Sequence, residues 1–246
     1  MKTKLLNSLL LAALVAPGVA LAEEASPISA NVGLTSDYLF RGISQTGHDP
    51  AIQGGFDYAH DSGLYVGVWG SNVGWIEDFQ GYASGNMELD FYAGFGGGFA
   101  EDFTYDVGAV QYYYPGTRGA ITNADTTELY AALGYKWITA KYSYVASTGA
   151  FGFANASGSD YLDISASAPV GDTGLTADVH WGTFKFKNNA AQNYDDWKIG
   201  LSYDLGSGMT VGVAYTDTNA NAAVWTDANG QDLGKGQASV SFSKSF

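Results

Sequence analysis

The amino-acid sequence predicts an all-β protein, a transmembrane antiparallel β-barrel of about twelve strands with its N- and C-termini periplasmic. Three observations lead to this prediction. Apolar and polar residues alternate with period two along most of the chain, as they do in strands whose two faces meet different surroundings. Long and short connections alternate between these segments, which is typical of membrane barrels. In the most regular segments, the apolar face carries no Asp, Glu, Lys or Arg.

Composition and charge exclude several other classes of protein. Charged residues make up 15% of the 246 residues, below the roughly 25% of a soluble domain. The 46% of hydrophobic residues is too much for a disordered chain. With 11 Lys and Arg against 25 Asp and Glu, the net charge is −14, which excludes a nucleic-acid partner because phosphate binding needs a basic face. The chain has no cysteine, so it has no disulfide, thiolate metal site or cysteine nucleophile.

Residues 1–22 have the three parts of a secretory signal peptide. Two lysines at the start precede an apolar run over 9–15, and Ala-Leu-Ala at 20–22 fits a cleavage site between small residues. The apolar run is too short to span a bilayer, which requires about 20 residues. The sequence therefore predicts an exported protein whose mature part, residues 23–246, is the barrel.

Twelve segments are predicted as strands. Eight alternate regularly, namely 28–35, 87–95, 128–133, 161–168, 175–182, 196–203, 209–216 and 238–243. Four are less regular, namely 52–58, 64–73, 103–113 and 138–144. In segment 64–73 the sequence does not decide which face meets lipid. Leu64, Val66 and Val68 lie on one face, and the large apolar side chains of Tyr65 and Trp69 lie on the other.

The connections between these segments fall into two groups. The long ones are polar and cover 41–50, 74–85, 115–126, 146–160, 185–195 and 217–236. The short ones are rich in Gly, Asp, Ser and Pro, as tight turns require, and cover 61–63, 96–102, 136–137, 169–173 and 205–208. Long loops are expected on the external side of the membrane and short turns on the periplasmic side.

Charged residues lie on the face opposite the apolar one, which predicts a polar interior and a lipid-facing outer wall. A charge at the midplane of the lipid face would cost about 2–4 kcal/mol. The candidate pore-lining residues are Asp37, Arg41, Glu88, Asp90, Asp106, Glu128, Lys141, Asp163, Asp178, His180, Asp196 and Lys198. Asp37 and Arg41 are placed on one strand with both side chains inward. Aromatic residues near strand ends are expected at the two water boundaries, among them Trp137, Trp181, Trp197, Tyr203 and Tyr215.

Several stretches resemble the TorF-like porins, a proteobacterial family. They are NVGLTSDYLFRGISQT at 31–46, GFDYAHDSGLYVGVWGSNV at 55–73, ELDFYAGFGG at 88–97 and ELYAALGYKW at 128–137, together with the terminal Phe246. The resemblance implies an outer-membrane barrel with a pore function, and it carries no catalytic residues. A terminal strand that ends in Phe is also the expected signal for the barrel-assembly machinery. The expected partners are thus this machinery, outer-membrane lipid and small hydrophilic solutes.

The sequence offers little for catalysis, and it predicts no metal or cofactor. His180 and Asp178 share one face and could in principle act as a base with its orienting carboxylate, but the favoured interpretation is a polar pair in the interior. Segment 217–221 starts like a calcium loop but lacks its glycine and its bidentate glutamate, since Ala222 and Ala228 stand at those positions.

The leading functional prediction is a porin in the bacterial outer membrane for passive diffusion of small hydrophilic solutes. The excess of interior carboxylates predicts a weak preference for cations. Twelve strands fall between a filled eight-stranded and an open sixteen-stranded barrel, so that Tyr112, Tyr130 and inward-folded loops could narrow the pore. The alternatives are a barrel enzyme that hydrolyses lipid, a non-conducting structural or adhesive barrel, and a soluble exported sandwich.

Overall fold

The computed structural model describes residues 26–246, and the predicted signal peptide at 1–22 lies outside this range. Twelve strands close one antiparallel barrel, which confirms the predicted fold class. They are β1 Ile28–Thr35, β4 Ala51–Ala59, β5 Leu64–Asn72, β6 Met87–Ala100, β7 Phe103–Tyr113, β8 Thr126–Tyr135, β9 Ile138–Val145, β10 Asp160–Pro169, β11 Leu175–Lys185, β12 Tyr194–Gly206, β13 Met209–Thr218 and β14 Gln237–Ser245. Each strand pairs with its neighbours in the chain, and β1 pairs with β14 to close the ring, with Leu34 opposite Phe242.

Small elements occur in four of the long loops. A hairpin of β2, Leu39–Phe40, and β3, Ile43–Ser44, follows β1. Helix α1 spans Trp75–Asp78 and helix α2 spans Ala222–Trp225. A single 3-10 turn covers Ala190–Gln192. No helix within residues 26–246 has the length and hydrophobicity to cross a membrane.

The predicted alternation of long and short connections is present in the structure. Strands β6 and β12 extend further than the sequence pattern predicted, so that two of the short connections shrink to two residues. These turns contain Asp102 and Ser207 with φ of 68° and 54°. The start of β1 and the end of β14 lie at the short-turn end of the barrel.

The predicted strand through Asp37 and Arg41 is wrong. Strand β1 ends at Thr35, and Arg41 lies in the tight turn between β2 and β3. Arg41 and Gly42 both have positive φ, 48° and 80°, which is the turn geometry that suits a two-residue hairpin. The chain therefore reverses after five residues and cannot continue along the barrel wall.

The outer wall is apolar, as the alternation predicted. The structure also shows which face of β5 meets lipid. Leu64 and Val66 are 57% and 53% exposed on the outside, whereas Tyr65 and Trp69 point inward. The predicted boundary aromatics Trp137, Trp181, Trp197, Tyr203 and Tyr215 are all exposed on this outer face. A wall of this kind is stable only where it meets lipid hydrocarbon.

Inside the barrel, tyrosine rings lie flat over glycines of the adjacent strand. Tyr65 stands directly opposite Gly94, and Tyr130 directly opposite Gly108. A β-carbon added at either glycine would overlap the tyrosine. The glycines therefore let the rings lie against the wall, where they occupy less of the interior.

Candidate functional site: the barrel interior and its lid

The interior is closed at the long-loop end by the lid hairpin, which we define as residues 36–50. It folds into the barrel mouth and is held by its own polar residues. Asp37 accepts hydrogen bonds from Ser44 Oγ at 2.6 Å and Thr46 Oγ1 at 3.2 Å, and its Oδ2 lies 2.8 Å from His48 Nδ1. His48 Nε2 lies 2.9 Å from the carbonyl oxygen of Asp232, which ties the hairpin to the last long loop.

An aromatic cluster packs around the lid hairpin. Phe40 contacts Tyr112 and Phe151, each with ring centroids 5.6 Å apart. Trp225 from the last long loop stacks on Phe79 at 5.6 Å. The further buried members of this cluster are Ile43, Trp75, Phe184, Phe186, Tyr194 and Leu233. These side chains come from the wall and several loops, so the mouth of the barrel has a hydrophobic core of its own.

Arg41 projects from the tip of the lid hairpin into the interior. Its Nη1 and Nη2 donate to the two carboxylate oxygens of Glu128 on β8, at 2.8 and 2.7 Å. The guanidinium also lies over the rings of Tyr161 and Phe184, at 4.2 and 4.8 Å from their centroids. Burial lowers the pKa of Arg41, but the Glu128 carboxylate outweighs this and holds the pKa above its ordinary value. The pair fixes the hairpin to the wall.

Glu88 and Asp90 occupy consecutive inward positions on β6, just below the lid hairpin. They are only 1% and 2% exposed. Glu88 Oε1 lies 3.4 Å from Tyr38 Oη, whereas Glu88 Oε2 and Asp90 Oδ1 have no hydrogen-bond partner within residues 26–246. No basic side chain of that range forms an ion pair with either carboxylate. Because two buried carboxyl groups without a cation cannot both be ionised at low cost, this pair is expected to hold at least one proton in the closed state.

His180 on β11 lies between two carboxylates, neither of which is the expected Asp178. Its Nδ1 is 2.8 Å from Asp163 Oδ2 and its Nε2 is 2.7 Å from Asp196 Oδ1. Tyr161 Oη donates to Asp196 Oδ2 at 2.9 Å. The expected pairing fails because positions 178 and 180 follow one strand, whereas the ring reaches the strands on either side. Both ring nitrogens are engaged, so the imidazole has no free nitrogen to accept a proton from a hydroxyl.

The remaining candidates lie nearer the short-turn end, where the inward side chains are mostly half-buried. Tyr65 Oη donates to Asp106 Oδ1 at 2.7 Å. The ammonium group of Lys141 lies 4.1 Å from the centroid of the Tyr130 ring. Asp178 and Lys198 are on neighbouring strands β11 and β12, with Lys198 opposite His180. Solvent therefore reaches the interior from the short-turn end.

Sequence reasoning missed the residues that close the mouth. Phe40, Trp75, Phe151 and Trp225 lie in long loops, where no periodicity marks a buried side chain. Two of the inward tyrosines had a signal, since Tyr130 has the same parity as Glu128 and Tyr161 the same parity as Asp163. Within residues 26–246, no three His, Asp or Glu side chains are grouped to hold a metal ion.

A family model described as "Bacterial protein of unknown function (Gcw_chp)" matches residues 20–246. The chain belongs to this family. The TorF-like name suggested by the resemblance has no confirmation. No curated protein matches this Gcw_chp chain.

Two porins of known structure share the fold of this Gcw_chp chain. The KdgM porin is 8% identical with a TM-score of 0.56, over 89% of this chain and 99% of the porin. The NanC porin is 11% identical with a TM-score of 0.53, over 89% of this chain and 98% of the porin. A second KdgM structure is in complex with disordered oligogalacturonate. The bacterial family, the closed barrel and the apolar outer wall together make this chain a protein of the bacterial outer membrane.

Proposed function

We propose that the chain is an outer-membrane channel through which small hydrophilic solutes diffuse passively, with a preference for cations. The observation that carries this proposal is the enclosed interior, which is rich in carboxylates and surrounded by an apolar wall. Porins of the same fold support a channel role. In the proposed mature protein, residues 1–22 have been removed and Phe246, exposed at the end of the last strand, has served recognition by the barrel-assembly machinery.

The cation preference follows from the uneven pairing of interior charges. Arg41 neutralises Glu128, and His180 is shared between two carboxylates. Asp57, Asp106 and Asp178 are further inward carboxylates, against the two strand lysines Lys141 and Lys198. The buried pair Glu88 and Asp90 is left out of this balance, because it has no cation partner within residues 26–246. A ring of carboxylates raises the local concentration of cations and lowers that of anions.

The lid hairpin controls access in this proposal. Inward side chains are buried at the long-loop end and half-buried towards the short turns, so a solute must displace the hairpin to pass. The hairpin is held mainly by one ion pair and one aromatic cluster. Ion flow is therefore expected in discrete openings rather than as a steady current.

The arrangement around His180 gives lipid hydrolysis no support. An enzyme would need a nucleophile beside a free imidazole nitrogen, and both nitrogens of His180 face carboxylates. Ser165 stands opposite His180 in the strand register, but the imidazole cannot accept its proton in this arrangement.

Planar-bilayer recordings test the proposal. Refolded protein in a gradient of KCl should give stepwise currents whose reversal potential shifts towards the equilibrium potential of K⁺. Asp178→Asn should reduce that shift, because it removes a half-buried interior charge. Asp172→Asn, in an exposed short turn, is the matched control and should leave the shift unchanged. A shift towards the Cl⁻ potential, or a silent membrane containing folded protein, would contradict the proposal.

A further inference from the structure

A polar groove lies on the outside of the barrel at the long-loop end. Its volume is about 520 Å³. The ends of β7 and β8 form one side, and the loops 114–125 and 146–159 form the other. The groove is separate from the interior, because Gln111, Tyr113 and Thr127 in its wall have the outward parity of their strands, whereas Tyr112 is buried inside.

The groove begins where the apolar outer wall ends. On β7 and β8, the pair Ala109 and Leu129 belongs to the apolar wall. The next outward pair is Gln111 and Thr127, which are hydrogen-bonded side chain to side chain at 2.5 Å. Beyond them Tyr113 is exposed, as expected of an amphipathic aromatic at a membrane boundary. The groove therefore lies at the level of the lipid headgroups.

Arg118 supplies the one positive charge among the residues that line the groove. Its side chain is exposed, and it makes no ion pair within the described part of the chain. Asp125 lines the same groove, but its Oδ1 accepts from the Tyr114 backbone N–H at 2.9 Å and its Oδ2 from the Asn123 amide at 3.0 Å. The other arginine, Arg41, is paired with Glu128, whereas the guanidinium of Arg118 has no carboxylate partner in the described part of the chain.

We propose that this groove binds the phosphorylated sugar headgroup of a glycolipid in the surrounding leaflet. The guanidinium matches the geometry of a phosphate group. Thr122 and Thr148 add hydroxyl groups that can hydrogen-bond sugar hydroxyls. A volume of about 520 Å³ suits a ligand of sugar size, since ligand sites span roughly 300–1,000 Å³. The inference rests on the membrane location but not on conduction.

Binding to purified lipopolysaccharide in neutral detergent tests the inference. The full-length barrel should bind it saturably, and Arg118→Ala should weaken binding at least tenfold. Lys235→Ala is the matched control, because it removes one exposed positive charge from a different long loop. It should leave the affinity unchanged. Dephosphorylated lipopolysaccharide should bind the unaltered protein as weakly as the phosphorylated form binds Arg118→Ala.

Three outcomes would overturn the inference. Equal weakening by Arg118→Ala and Lys235→Ala would show attraction to overall charge. Equal competition by phosphatidylglycerol would show recognition of any anionic lipid. Competition by inorganic phosphate at the same concentration would show a phosphate site without sugar recognition. Each of these results leaves the bilayer currents unaffected, so the failure of this inference is distinguishable from failure of the channel proposal.

Discussion

Gly94 on β6 lies directly opposite Tyr65 on β5, inside the barrel. A β-carbon at Gly94 would meet both the Tyr65 ring and the carbonyl oxygen of Val107, which is 2.8 Å from the ideal position. The ring cannot simply move away, because Tyr65 Oη is hydrogen-bonded to Asp106. The many glycines of the chain therefore have a steric function at positions like this one.

We expect Gly94→Ala to lower the free energy of unfolding by about 1–3 kcal/mol, the usual cost of an overpacked site. Gly98→Ala is the matched control, since Gly98 has the same strand and parity but its β-carbon would meet only the Phe103 carbonyl at 3.5 Å. It should change stability by less than about 0.5 kcal/mol. Reversible urea unfolding of the refolded barrel measures both values. Equal values for the two variants would show that tyrosine packing does not require Gly94.

Single residues also show where sequence reasoning succeeded and where it stopped. The parity of Glu88, Asp90 and Glu128 follows from alternation alone, and the structure places all three side chains inside. Their partners could not be predicted in the same way. Arg41 reaches Glu128 across the barrel mouth, and such a contact depends on the fold of a loop rather than on any local pattern.

At the scale of elements, the lid hairpin is the part of the fold that the sequence pattern missed. The alternation of apolar and polar residues identified the barrel strands, because every strand has one face towards lipid and the other towards the polar interior. The hairpin is instead held by aromatic residues that come from separate loops, including Phe151 and Trp225. Nothing in the spacing of these residues indicates that they meet.

The Arg41–Glu128 pair is expected to keep the hairpin closed. Arg41→Ala would leave the Glu128 carboxylate buried without a partner, and breaking such a pair typically costs about 3–5 kcal/mol. Opening of the hairpin lets water reach Glu128, so the closed state loses more stability than the open one. Single-channel recordings should therefore show a clear rise in open probability for Arg41→Ala.

Arg118→Ala serves as the control for this measurement, since Arg118 is the other arginine of the chain and lies on the outside. It should leave the open probability unchanged in a phospholipid bilayer. Glu128→Gln should resemble Arg41→Ala, because it breaks the same pair from the wall side. Unchanged gating in both variants of the pair would contradict the assigned role of the hairpin.

At the scale of the whole molecule, one physical contrast organises the structure. The outer wall is apolar around the ring of twelve strands, and the inward faces carry the charged residues. The sequence was sufficient to predict this contrast because it is repeated in strand after strand. The sequence could not predict how far the barrel mouth is closed, since this depends on how the long loops pack over it.

Site-directed spin labelling at two adjacent residues tests this contrast most directly. Val240 on β14 is 54% exposed on the outer wall, and its neighbour Ser239 faces the interior. The chain has no cysteine, so a single introduced cysteine labels one site only. In liposomes, we expect oxygen dissolved in the lipid to relax the label at 240, and a water-soluble nickel chelate to relax the label at 239. The opposite accessibility would show that the polar face meets the lipid, and it would contradict both the barrel orientation and the channel.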